Sequence, residues 1–182
     1  CTQITSLSFQ TPRQKQSVKS ENISEERVGS ISTKEWQNLT KPSANVILAP
    51  NTANPFLVLG ICSGRSVRTE THREFESKQN HHKYQEKYKH QYNGWTCVQA
   101  KEGYNKGKHY WEVDVKGKND WRIGVVKKSA PRDGFSKLNT ATGYWTLRLQ
   151  LGCLMALTEP VTKLNQAPPS KIGVHLDYKE GK

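Results

Sequence analysis

The stretch His109-Tyr110-Trp111-Glu112-Val113-Asp114-Val115, followed after a polar turn by Trp121-Arg122-Ile123-Gly124-Val125-Val126, decides the fold class. Trp111, Val113 and Val115 share one side of an extended chain with His109, while Tyr110, Glu112 and Asp114 take the other. Successive side chains of a strand point to opposite faces, so this alternation predicts strands with one buried and one wet face. Trp121, Ile123 and Val125 repeat the pattern against Arg122 and Gly124. Downstream, residues 143–151 set Trp145, Leu147, Leu149 and Leu151 inward and Tyr144, Thr146, Arg148 and Gln150 outward. Residues 171–178 set Ile172, Val174, Leu176 and Tyr178 against Gly173, His175 and Asp177. Many short alternating strands with turn residues between them and almost no helical periodicity predict an all-β fold, an antiparallel β-sandwich. Trp111, Trp121 and Trp145 are its predicted core anchors, because an indole fills a sandwich with the largest apolar area available.

Upstream of this region the signal weakens. Val46-Ile47-Leu48 and Phe56-Leu57-Val58-Leu59 are apolar runs parted by Pro50, Asn51, Asn54 and Pro55, and they predict two short strands. Residues 60–94 are polar and loop-like, with Tyr84, Tyr88 and Tyr92 recurring every four positions. His81, His82, His90 and Cys97 have no standard zinc-ligand spacing, so a solvated loop is predicted and no metal. Residues 1–43 are rich in Ser, Thr, Gln, Lys and Glu and have too few large apolar groups to offset the entropy of ordering. They predict a linker, largely disordered, with a short helix near residues 32–39 that docks Trp36.

Composition narrows the function. The 182 residues carry a net charge of +12, but the excess is spread along the chain: 6 basic and 4 acidic groups in residues 1–43, 10 and 5 in residues 60–110, 12 and 7 in residues 111–182. Diffuse charge speeds encounter with acidic partners without specifying one, and no nucleic-acid recognition motif accompanies it, so nucleic acid is not expected as a partner. Cys1, Cys62, Cys97 and Cys153 are scattered, which predicts reduced thiols in a cytoplasmic protein. The sequons at Asn22 and Asn38 then read as chance matches. No apolar run approaches the roughly 18 residues of a membrane span, so no membrane insertion is expected. A chain that opens on Cys1 is expected to be a piece of a larger protein.

The motifs, taken in order, resemble the PRY–SPRY domain of tripartite-motif ubiquitin ligases and butyrophilins. The family's Leu-Asp-Pro stands here as Leu48-Ala49-Pro50, its Trp-Glu-Val-Glu as Trp111-Glu112-Val113-Asp114, and its Leu-Asp-Tyr-Glu as Leu176-Asp177-Tyr178-Lys179. Trp121-Arg122-Ile123-Gly124-Val125, Gly143-Tyr144-Trp145 and Leu157-Thr158-Glu159-Pro160 fall between them as the family pattern asks. The resemblance divides the chain into residues 1–43 as linker, 44–94 as PRY segment with a long polar loop, and 95–182 as a SPRY segment incomplete at its C-terminus. Ala49 in place of Asp predicts a lost capping bond. Absence of the ligase's other domains predicts no ligase activity in this piece.

What the resemblance implies is a protein-interaction module, the targeting domain of a tripartite-motif type ubiquitin ligase or related immune protein. Its partner protein is unidentified, and oligomerisation of the parent through a segment absent here stays open. Loops at one end and one sheet face would bind. Arg148 and Gln150 on that face are candidate contacts, as are Lys118, Asp120, Arg132 and Phe135 on the loops of residues 116–120 and 127–141, and Tyr92, Asn93 and Trp95 where the long loop rejoins the sheet. Tyr, Trp and Arg most often carry interface energy. The alternative is a small phosphorylated-ligand sensor of butyrophilin type, against which Met155 and Val161 occupy stretches where a basic pocket would be built. An enzyme is not expected: no Gly-x-Ser-x-Gly, P-loop or HExxH motif is present, and no cofactor is implied.

Overall fold

The computed structural model describes residues 2–4, 8–9, 31–62, 66–71 and 90–182. Among these, antiparallel strands dominate and one α-helix occurs. The larger sheet has the order β10 (Thr162–Leu164), β9 (Cys153–Ala156), β8 (Tyr144–Gln150), β7 (Trp121–Lys127), β1 (Thr2–Ile4) and β5 (Gly103–Tyr104), and β2 (Ser8–Phe9) also pairs with β7. A second sheet pairs β6 (Lys108–Asp114) with β11 (Lys171–Asp177), and β3 (Leu57–Cys62) forms a hairpin with β4 (Ser66–Thr71). Trp121, Ile123, Leu149 and Leu154 from the large sheet meet Leu48, Leu57, Val98 and Val115, with Val113, Ile172 and Val174 of the second sheet packed against them. This is the expected sandwich, with its core between two sheets.

Local chemistry explains the elements. The β8–β9 hairpin closes through Leu151 and Gly152, whose φ values of +50° and +76° give the turn that suits twisted strands. Leu151, predicted inward, therefore stands on a turn and is exposed. The helix α1 (Thr33–Thr40) is capped by Ser32, whose hydroxyl accepts from the Glu35 N–H at 3.3 Å, and Trp36 packs edge-on to Tyr110 with centroids 6.1 Å apart. Residues 42–44 run beside β6, bonding both backbone groups of Tyr110. Tyr110 is thus buried on the face predicted to be wet. Tyr84, Tyr88, His81 and His82 lie outside the described residues.

Val46-Ile47-Leu48 is not a strand. It contributes an isolated bridge from Leu48 to Ala100, with Lys101 donating to the Ile47 carbonyl and Ala49 to that of Gln99. At the next turn, Ala49 offers no side-chain cap. The Thr52 hydroxyl instead ties the turn to residue 99, donating to the Ala49 carbonyl at 2.8 Å and accepting from the Gln99 N–H at 2.9 Å.

Candidate functional site

A strand buried on one face should expose the other, but β7 and β8 are covered on both faces at one end. Val126 and Tyr144 pack under Tyr92, Cys97, Ala130 and Leu138 in a second core, opposite the first. Two loops, residues 90–99 and 128–139, build this cover. Asn93 Oδ1 accepts from the Gly134 N–H at 2.5 Å, Trp95 Nε1 donates to the Ser136 carbonyl at 2.9 Å, and Arg132 Nη1 donates to the His90 carbonyl at 3.0 Å. The loops touch so closely that a Cβ on Gly94 would overlap the Gly134 carbonyl oxygen. Only glycine fits there.

This clamp places an aromatic pair on the sheet. The Trp95 and Phe135 rings meet edge to face, centroids 5.3 Å apart, and Phe135 is 75% exposed. Beneath Trp95, at 5.0 Å from the ring centre, lies the Arg122 guanidinium. Arg122 is 4% exposed, and its Nε and Nη1 have no hydrogen-bond partner among the described residues. Burial holds its pKa below the ordinary arginine value, and the Arg148 charge pushes the same way, while Cys97 and Asp120 act against them. Arg148 faces Arg122 directly across the β7–β8 ladder, and Met155 faces Arg148 across β8–β9. Thr146, on the same face, also has a buried hydroxyl without a partner among the described residues. A cationic, aromatic-roofed floor of this kind can bind by pairing and stacking.

Residues 108–182 match the SPRY domain model. Butyrophilin subfamily 1 member A1 is similar over 147 residues, 36% identical in Bos taurus and 35% in Homo sapiens, covering 80% of this chain. The chain spans 26% of the length of either relative. In fold it resembles the crystal structure of the TRIM65 PSpry domain, with a TM-score of 0.62 over 82% of this chain and 75% of that one, at 21% identity. The chain carries a PRY–SPRY domain.

Within this PRY–SPRY domain, most of the predicted contacts gather at one place. Arg148 and Gln150 lie half-buried on the floor, while Trp95, Phe135, Arg132 and Asn93 form the clamped loops above it. Tyr92 does not reach the surface. It is 0% exposed, its hydroxyl 3.2 Å from that of Tyr144 and accepting from Gln99 Nε2 at 2.8 Å, and burial pushes its pKa up. It supports the loop from below. Lys118 and Asp120 lie on the turn between β6 and β7, exposed and half-buried in that order. Period-two alternation groups Arg122 with the wet face and gives no sign that a loop roofs it; no local signal distinguishes Arg122 from Arg148.

Of the four residues weighed as zinc ligands, His81 and His82 lie outside the described residues, and among the described residues no group of three or more His, Cys, Asp or Glu could hold an ion. Cys97 is buried and Cys153 half-buried, and neither is in a disulfide.

Proposed function

We propose that the face bounded by Trp95, Phe135, Arg122, Arg148 and Gln150 recognises a partner protein on behalf of a larger cytoplasmic protein, a tripartite-motif type ubiquitin ligase or a related immune protein. SPRY domains are protein-interaction modules, and among the described residues no helix is long and apolar enough to cross a membrane. The observation that carries the reading is the solvent-exposed Phe135 ring held against Trp95 over a buried arginine. Aromatic and arginine side chains clustered at one place are the usual anchors of an interface.

Phe135→Ala removes an exposed ring and should leave the melting temperature unchanged. A protein captured from cell extract by the wild-type chain should be lost from Phe135→Ala and kept by Lys179→Ala, a change beyond β11 in the other sheet. Equal capture by all three would overturn the reading. The facing Arg122 and Arg148 favour, as a second reading, a small phosphorylated ligand. Saturable heat on titration with pyrophosphate, absent from Arg148→Gln, would establish it.

A further inference from the structure

Arg122 is an arginine out of water with no carboxylate paired to it among the described residues. Its Nε and Nη1 lack acceptors, and Arg148 across the ladder adds a like charge. A buried guanidinium without a counter-charge is costly, so a site that keeps one is preset for an anion arriving from outside. Cys97 and Asp120, the groups that favour its charged form, leave those two donors unpaired. Resting on the proposed recognition face, we propose that Arg122 and Arg148 receive the carboxylate of an aspartate or glutamate from the partner polypeptide, seated beside Trp95.

The shape of the site favours a carboxylate. The Arg122 guanidinium carbon lies 5.0 Å from the Trp95 ring centre, so the indole shields it on one side and acceptors must come from another. A planar carboxylate brings two acceptor oxygens to a guanidinium, which is the pairing arginine is built for. Met155, facing Arg148, supplies an apolar wall for the methylene stem of an acidic side chain. The unpartnered Thr146 hydroxyl, on the same face, offers one further donor. Phe135, exposed at the rim, is placed to touch an apolar residue beside the acid. The ligand is therefore an acidic residue with an apolar neighbour, within a polypeptide.

A random-peptide library displayed on phage and selected on the immobilised full chain tests this. Enriched peptides should share an Asp or Glu beside an apolar residue. Synthesised and titrated, they should bind at least about tenfold more weakly to Arg148→Gln, or about 1.4 kcal/mol. Replacing the peptide acid by its amide should cost as much, and the two changes together should cost little more than either alone. Arg148 is half-buried, so this variant decides the matter even if Arg122→Gln, which alters the floor under Trp95, fails to fold. Peptides without acids that still depend on Phe135 would overturn the carboxylate seat and leave the recognition face standing. Peptides indifferent to both Phe135→Ala and Arg148→Gln would overturn both. Arg148-dependent binding of pyrophosphate or of a single-stranded oligonucleotide, with no acidic peptide enriched, would also overturn the carboxylate seat.

Discussion

Arg122 and Arg148 stand opposite each other in one ladder, but one is buried under a tryptophan and the other half-open to water. The same contrast separates two tryptophans. Trp111 is 5% exposed and packs with Ala100 and Leu176, whereas Trp145, predicted inward, is 43% exposed with Lys127 Nζ 5.6 Å from its ring. Trp145 does alternate with Tyr144 and Thr146, but at this end of β8 those two are the buried ones, because the loop cluster covers their face. Trp111→Ala is expected to cost about 3–5 kcal/mol, the range for deleting a large buried aromatic. Trp145→Ala is expected to cost about 1 kcal/mol, in keeping with a half-covered side chain. Urea melts of the two variants check the ordering, and equal midpoints would put Trp145 back in the core.

At the scale of elements, two junctions decide how the domain is held. The first is the contact between the loops, where Gly94 meets the Gly134 backbone. A methyl group at Gly94 must drive them apart, taking Trp95 off Arg122. Gly94→Ala is therefore expected to abolish partner capture while lowering stability by about 1–3 kcal/mol, the usual cost of overpacking; retained capture by this variant would count against the clamp. The second junction is the β6–β11 pair, where Asp177 Oδ2 meets Lys108 Nζ at 2.8 Å. Asp177 Oδ1 also accepts from the Lys179 and Glu180 N–H groups, closing the turn after β11. The Lys108 hydrogen bond, helped by these N–H groups, holds the Asp177 carboxyl below its ordinary range. Its stabilising contribution is complete above the unfolded carboxylate pKa of about 4 and is lost as pH falls through the lower folded value. Lys108 is raised by the same hydrogen bond, so its share is complete below the unfolded lysine value and is lost as pH rises through the folded one. Asp177→Asn should flatten the acid limb of a melting-temperature profile, an effect that differential scanning fluorimetry can resolve.

Over the whole molecule, the larger sheet is completed by residues 2–4 and 8–9. β1 pairs Thr2, Gln3 and Ile4 with Lys127, Val126 and Val125, and β2 pairs Ser8 and Phe9 with Arg122 and Trp121. β1 also bonds β5, so it joins two parts of the chain about a hundred residues apart. Removing residues 1–30 would bare the edge of β7, the strand that carries Arg122. An uncovered edge pairs readily with other chains. The truncated protein is expected to melt lower and to scatter more light on warming than the full chain; identical behaviour would mean that the pairing adds nothing to stability.

By itself, the sequence determined the all-β sandwich, the strands within residues 109–115, 121–126, 143–151 and 171–178 and the helix that carries Trp36, but not β9 or β10. The strands rest on period two and turn residues, which are local properties of the chain. It also pointed to Trp95, Phe135, Arg132, Asn93, Arg148 and Gln150, because large aromatic and cationic groups stood on loops or on the polar side of a strand. Alternation tells which residues share a face but not what lies on that face. The tertiary structure alone decided that loops roof the polar side of β7 and β8, burying Tyr92, Tyr144 and Arg122 and turning Trp145 toward water. Those loops meet through backbone contacts at Gly94 and Gly134, forty residues apart, and only folding brings such positions together.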